Sequence, residues 1–160
     1  MNRALDMLHF LSVFLVALCL GPALAHLLEL PNKIGLGRDQ YFTVQQVYRG
    51  WALLGALILA AVLATVGLAV MVRRDRRLLP WVLFALACLV GAQAVFWIFT
   101  YPANVATENW TTMPENWEML RARWEYSHAA GALLTLAALA ALAALIPSLI
   151  ARARRSTLKA

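Results

Sequence analysis

The sequence predicts an all-α fold: an integral membrane four-helix bundle, up-down-up-down, with both termini cytoplasmic. Three observations lead there. Of the 160 residues, 62% are hydrophobic and only 14% are charged, against roughly a quarter charged in soluble domains. The apolar residues fall in long blocks, Trp51–Val72, Leu78–Phe99 and Ala129–Ile150, each about the 20 residues that cross a bilayer core. A fourth block, Leu8–Ala25, is near the lower limit. The third observation is charge placement. Arg73, Arg74, Arg76 and Arg77 join the second and third blocks, Arg152, Arg154, Arg155 and Lys159 follow the last, and Arg3 precedes the first. The stretches 26–50 and 100–125 hold five basic residues against six acidic ones, so the positive-inside rule puts them outside and both termini inside. The net charge of +6 is then an orientation signal, with contact to anionic lipid second, and not a nucleic-acid footprint.

The elements follow in order, as one domain over residues 1–160. Helix 1 is expected over about 5–30, kinked at Pro22, where a backbone donor is missing, and stopped by Pro31. The basic start, apolar middle and Ala23-Leu24-Ala25 also resemble a cleavable leader; because the helical pattern reads on past Ala25, the first span is expected to be retained. Asn32–Phe42 is expected to be a loop. Thr43-Val-Gln-Gln46 has capping-box spacing and opens helix 2, about 44–72. Arg73–Arg77 is the tight turn, and helix 3 runs about 79–101 to Pro102. Thr112-Met-Pro-Glu115 is a second capping box, opening helix 4 over about 113–150. At roughly 57 Å that helix exceeds the bilayer core. Cys19 and Cys88 read as small buried hydrophobes, with no C-x-x-C pair to support thiol–disulfide chemistry.

Polar and aromatic groups concentrate at one end of every span, while the other half is almost entirely Ala, Leu and Val. Trp117, Arg121, Trp124 and His128 recur at i, i+4, i+7 and i+11 on one helical face, with Glu125 at ion-pair spacing from Arg121. His26 and Glu29 share a face of helix 1. Gln93, Trp97, Thr100 and Tyr101 share one of helix 3, with Asn104 just beyond, and Gln45, Tyr48 and Arg49 open helix 2 at the same level. Ionisable groups at membrane depth are costly and normally face the bundle interior, which marks this end as the site. Arg123, Glu115 and Glu118 read as solvated charges, Trp51, Trp110 and Trp117 as an interfacial belt, and His9 as structural.

Three chemistries suit such a site. Facing imidazoles of His26 and His128 could ligate haem axially. With Glu29 or Glu125 they could hold a non-haem metal in the manner of a 2-His-1-carboxylate site. Without any cofactor, a histidine beside a carboxylate can take a proton from a phenol-like substrate, with Trp97, Tyr101 and Trp124 as walls of a flat pocket and Gln93, Asn104 and Trp117 as further contacts.

The stretches "HLLELP" (His26–Pro31), "VQQVYRGW" (Val44–Trp51), "YPAN" (Tyr101–Asn104), "RWEYSHA" (Arg123–Ala129) and the W-x6-W-x3-H spacing of Trp117, Trp124 and His128 resemble a four-helix membrane family whose fungal members include anthrone oxygenases. The resemblance implies a four-span bundle and oxygen insertion at an activated aromatic C–H. Pro102, Asn104, Trp117, Trp124 and His128 carry the match; Ala130 departs from it, standing where many relatives have an arginine. The expectation is a cell-membrane oxygenase or oxidoreductase acting on an anthrone-, quinol- or phenol-like molecule. His128 would be its base or ligand, His26 and Glu29 the partners, and Arg121 the stabiliser of an anionic intermediate. Partners are membrane lipid and that lipophilic aromatic, with a homo-oligomer left open. The rival expectation is a non-catalytic accessory or assembly subunit that docks a partner through its outer loops.

Overall fold

The computed structural model describes residues 3–147 and 149–151, so the basic tail from Arg152 to Lys159 lies outside the described residues. Every regular element among them is helical. Helix α1 spans Arg3–Lys33 and runs unbroken through Pro22 and Pro31. The expected stop at Pro31 is therefore corrected. A proline removes only its own N–H from the ladder, and the next donors recover at once, with Ile34 N–H bonding the Leu30 carbonyl at 3.0 Å.

The expected loop holds a helix, α2 (Arg38–Gln45). Thr43 lies inside it and its hydroxyl donates back to the Asp39 carbonyl at 2.8 Å, so the predicted capping box at 43–46 does not form. The chain continues through tight turns at Gln46–Tyr48 and Trp51–Leu53 before α3 (Leu54–Val72). Between them Gly50 takes φ 89°, a left-handed conformation that glycine adopts without steric cost.

After the turn at Arg73–Arg77, Asp75 accepts the N–H groups of Arg77 and Leu78 at 2.9 and 3.2 Å and so fixes the entry to α4 (Leu79–Val95). Pro102 does not end this helix. A π-turn at Phe96–Thr100 leads into α5 (Tyr101–Ala106), with Pro102 in its first turn, where a missing N–H costs least. Glu108, Asn109 and Trp110 then take φ of 47°, 56° and 65°, three successive non-glycine residues in left-handed space. Helix α6 spans Trp117–Ala143 and begins after Asn116 without a side-chain cap, so the second capping box is also absent and the helix starts later than its expected onset at 113. A turn at 144–145 ends it before the expected 150, and the described residues are helical again from 146.

The stretches Arg3–Lys33, Trp51–Val72, Leu79–Ala106 and Trp117–Ala143 are long and apolar enough to cross a membrane: the chain has the helix bundle of a multi-pass membrane protein. Helix α1 packs on α3 and α6, and α4 on both of these as well. Contacts between α1 and α6 step in opposite directions, His9 meeting Leu142, His26 meeting His128 and Lys33 meeting Glu125. One half of the bundle is an apolar core including Leu5, Val16, Leu68, Val82, Ala138 and Leu142. There Gly67 allows close approach, since a Cβ at that position would sit 3.2 Å from the Leu8 side chain. In this half buried hydroxyls bond the carbonyl four residues back, as Ser12 does to Leu8 and Thr65 to Ala61, so they add no unsatisfied polar group. His9 is held by the Leu142 carbonyl at 2.8 Å, the structural role expected of it.

Candidate functional site

The other half of the bundle, here the polar end, is built from α1, α2 and α6. Residues 26, 29 and 33 fall three and four apart, so His26, Glu29 and Lys33 share one face of α1. Opposite them α6 presents Trp124, Glu125 and His128. Across the top lies α2 with the turn after it, contributing Tyr41, Gln45 and Tyr48.

Glu125 is wholly buried, and Lys33 is 4% exposed. Their charges meet at 3.1 Å, and Lys33 also lies 3.6 Å from Glu29. Lys33 donates to the Tyr48 hydroxyl at 2.7 Å, the Tyr48 hydroxyl donates to Glu29, and the Tyr41 hydroxyl donates to Glu125 Oε1 at 2.9 Å while accepting from Gln45. The Lys33 ammonium also lies over the rings of Tyr48 and Trp124 at 4.4 and 4.7 Å, at cation–π range. Burial, then the Glu29 hydrogen bond, pushes the Tyr48 phenol above its usual range. Burial, then the Glu125 charge, does the same to Tyr41. Both phenols rest as neutral hydroxyls able to donate.

Beside this ion cluster stand the two histidines, ring centroids 4.2 Å apart. His26 meets Tyr48, Trp124 and Trp51 at 4.6, 5.0 and 5.4 Å, and His128 packs on Trp124 at 3.9 Å. His128 Nδ1 lies 2.9 Å from the Trp124 carbonyl. A carbonyl can only accept, so Nδ1 carries the proton and Nε2 of the neutral ring carries the free lone pair. His26 Nδ1 and Glu125 Oε2 are buried without a partner.

The structure thus brings together His26, His128, Glu29, Glu125 and Trp124. Arg121 is nearby but engaged otherwise. It donates to the Leu36 carbonyl at 2.7 Å and stacks over Tyr41 and Trp117 at 5.6 and 4.6 Å. The cation paired with Glu125 is Lys33, which corrects the expected Arg121–Glu125 pair. Asn104 Oδ1 accepts both the Trp110 and Trp124 indole N–H groups, at 3.2 and 2.9 Å, so it orients a wall of the site. Trp117 joins a cluster with Tyr41 and Phe42. Trp110, expected in an interfacial belt, is buried in the same cluster.

Two expected wall residues are not there. Trp97 and Tyr101 are 58% and 45% exposed and stack on each other at 4.9 Å. The π-turn advances the helix phase, and Thr100 is what faces α6, at 2.6 Å from the Ser127 hydroxyl. Gln93, before that turn, is half-buried. Trp51 and Tyr48 supply ring walls in their place.

Lys33 and Tyr41 escaped the sequence reading, Lys33 because Pro31 was expected to end its helix. The Glu29–Lys33 spacing of four was the available signal. Tyr41 had none, lying in a stretch expected to be loop.

Haem ligation does not fit the pair as it stands. With metal–nitrogen bonds of about 2 Å, imidazoles on opposite sides of one iron hold their centroids about 6 Å apart, well beyond the 4.2 Å found. Among the described residues no group of three or more His, Cys, Asp or Glu side chains is placed to hold a metal ion, so the expected 2-His-1-carboxylate set does not assemble. Comparison with protein-family models, curated proteins and solved structures finds no significant match to this chain.

Proposed function

We propose that the polar end is the active site of a membrane oxygenase that deprotonates a lipophilic hydroxylated aromatic, of the anthrone or quinol class, and delivers it to oxygen. The observation that carries this reading is the contact between His128 Nδ1 and the Trp124 carbonyl at 2.9 Å. The Trp124 carbonyl holds Nδ1–H, leaving Nε2 as a positioned base on a half-buried ring. The motif resemblance in His26–Pro31 and Arg123–Ala129 points the same way. The bundle lies up-down-up-down in a cell membrane, with Arg73–Arg77 and both termini cytoplasmic, so the site opens at the outer leaflet, where such a substrate partitions.

In this reading Trp51, Trp124 and Tyr48 grip the flat ring system. His128 Nε2 takes a proton from the activated methylene, and the carbanion passes one electron to oxygen and combines with the resulting superoxide. The protonated imidazole returns its proton to the peroxide. A second C–H proton then leaves with hydroxide from the O–O bond, giving a ketone and water: CH2 plus O2 yields C=O plus H2O. Lys33, over the same rings as the histidines, supplies positive charge for the anion when Glu125 holds a proton, the role expected of Arg121.

The test is oxygen uptake with a hydroxyanthrone or a hydroquinone in nanodiscs. Loss of a general base costs about 10²–10⁴-fold, so His128→Ala should lose at least that while staying folded. An active His128→Ala protein would remove His128 from the mechanism. Inactivity of the wild type toward both substrate classes, with a cellular phenotype only for Glu118→Ala or Arg123→Ala, would favour the accessory-subunit reading.

A further inference from the structure

Buried ion pairs in membrane bundles are usually closed systems, each charge satisfied by its neighbours. This one is not closed at either end. At the inner end, Glu125 is fully buried and its Oε2 has no partner. At the other end the Glu29 side chain is 39% exposed. Between them lies an unbroken set of polar contacts. Glu125 Oε1 meets Lys33 Nζ at 3.1 Å, Lys33 donates to the Tyr48 hydroxyl at 2.7 Å, and that hydroxyl donates to Glu29. The two hydrogen bonds after Lys33 both point outward, the polarity a departing proton needs.

The charge count gives the set something to carry. Two carboxylates share one ammonium. When Glu29, 39% exposed, draws on the Lys33 charge, the Glu125 carboxylate, with no exposed surface, is left incompletely compensated in a place where an unpaired charge is expensive. A proton taken up by Glu125 during the relay neutralises it, and the ion pair with Lys33 re-forms when that proton leaves. Lys33 and Glu29 from α1, Tyr41 from α2 and Tyr48 from the turn after it are the titratable groups facing Glu125.

We infer that Lys33, Tyr48 and Glu29 form a proton relay joining buried Glu125 to water at the polar end of the bundle. In one passage Tyr48 gives its hydroxyl proton to Glu29 and takes one from the Lys33 ammonium. Lys33 in turn takes one from the Glu125 carboxylic acid, whose carboxyl group rotates to bring a proton received on Oε2 to the Oε1 position. Glu125 ends one proton poorer and Glu29 one richer, and Lys33 and Tyr48 end as they began. Glu29 then releases its proton to water. The use of the relay in turnover rests on the oxygenase reading, since the site must pass protons while substrate shields it from water. The relay itself does not.

The experiment therefore uses no substrate. The carboxylic-acid C=O band of Glu125 is assigned by infrared spectroscopy from its loss in Glu125→Gln, and its shift is followed after transfer of the full-length protein from H2O to D2O. Tyr48→Phe keeps the ring and removes only the hydroxyl, and Glu29→Gln changes a half-exposed position, so each leaves the packing in place. Both should slow the shift at least about tenfold, the effect of a barrier raised by one lost hydrogen bond, with the melting temperature measured alongside. Wild-type exchange rates in both folded variants would overturn the relay, as would absence of a Glu125 acid band at every pH where the protein stays folded. Exchange that depends on Tyr48 in a protein that consumes no oxygen would keep the relay and reject the oxygenase.

Discussion

Replacing Lys33 by methionine isolates the interaction on which the polar end turns. At 3.1 Å, an effective dielectric of 20 gives a gross Lys33–Glu125 attraction of roughly 5 kcal/mol. The Glu29 contact at 3.6 Å is half-exposed, so solvent reduces it to about 1 kcal/mol or less. Methionine keeps most of the stem volume but leaves Glu125, with no exposed surface, holding only the Tyr41 hydrogen bond. Removing one partner of a buried pair costs about 3–5 kcal/mol, and that is the loss expected in an unfolding titration from mild detergent into SDS. The double change Lys33→Met with Glu125→Leu removes the stranded charge as well and should recover most of the loss, because apolar replacement of a whole buried pair is nearly neutral or stabilising by about 1–4 kcal/mol. Two outcomes would refute this reasoning: a single variant within about 0.5 kcal/mol of wild type, or a double variant no more stable than the single one.

Other outcomes follow from the same geometry. Asn104→Ala strands two buried indole N–H groups and should cost about 2–4 kcal/mol, at about 1–3 for each unsatisfied donor, whereas Asn104→Asp keeps the acceptor and should retain most of the stability; tryptophan emission and unfolding check both. Glu108→Gly relieves a left-handed residue at φ 47° and should raise stability by about 1 kcal/mol; a loss would mean that the Glu108 side chain holds the turn. Both Tyr41 and Tyr48 phenols are pushed up on folding, so the unfolded chain releases their protons first. Stability should then fall as pH rises above the ordinary tyrosine value of about 10, by about 1.4 kcal/mol per pH unit for each, and the double phenylalanine variant should lose that slope. The visible spectrum of the purified protein, as isolated and reduced, should lack a haem Soret band; a band that moves on reduction would contradict the imidazole spacing.

The parts of the molecule legible in the sequence are those fixed by bulk composition. Runs such as Trp51–Val72 can only be buried or lipid-facing, so the four spans were readable, and so was the concentration of ionisable groups at one end. His26 and His128 were paired from depth alone and meet at 4.2 Å. What was not legible depended on local backbone choices made by tertiary contacts. Pro31 reads as a stop, yet α1 continues past it to Lys33, which meets Glu125 at 3.1 Å. Thr43 and Gln46 match a cap, but Thr43 back-bonds inside α2 and Gln46 reaches the Trp110 carbonyl at 2.8 Å. Trp97 and Tyr101 were placed by a 3.6-residue period that the π-turn at Phe96–Thr100 breaks, and such a turn leaves no compositional mark.

The most direct test of the central claim supplies isotopically heavy oxygen gas to the protein in nanodiscs with a hydroxyanthrone and reads the product by mass spectrometry. The account requires one heavy oxygen atom in the new carbonyl and the other in water, at a rate that collapses in His128→Ala but not in Glu118→Ala. Product without heavy oxygen, or labelled product formed equally well by His128→Ala, would contradict it.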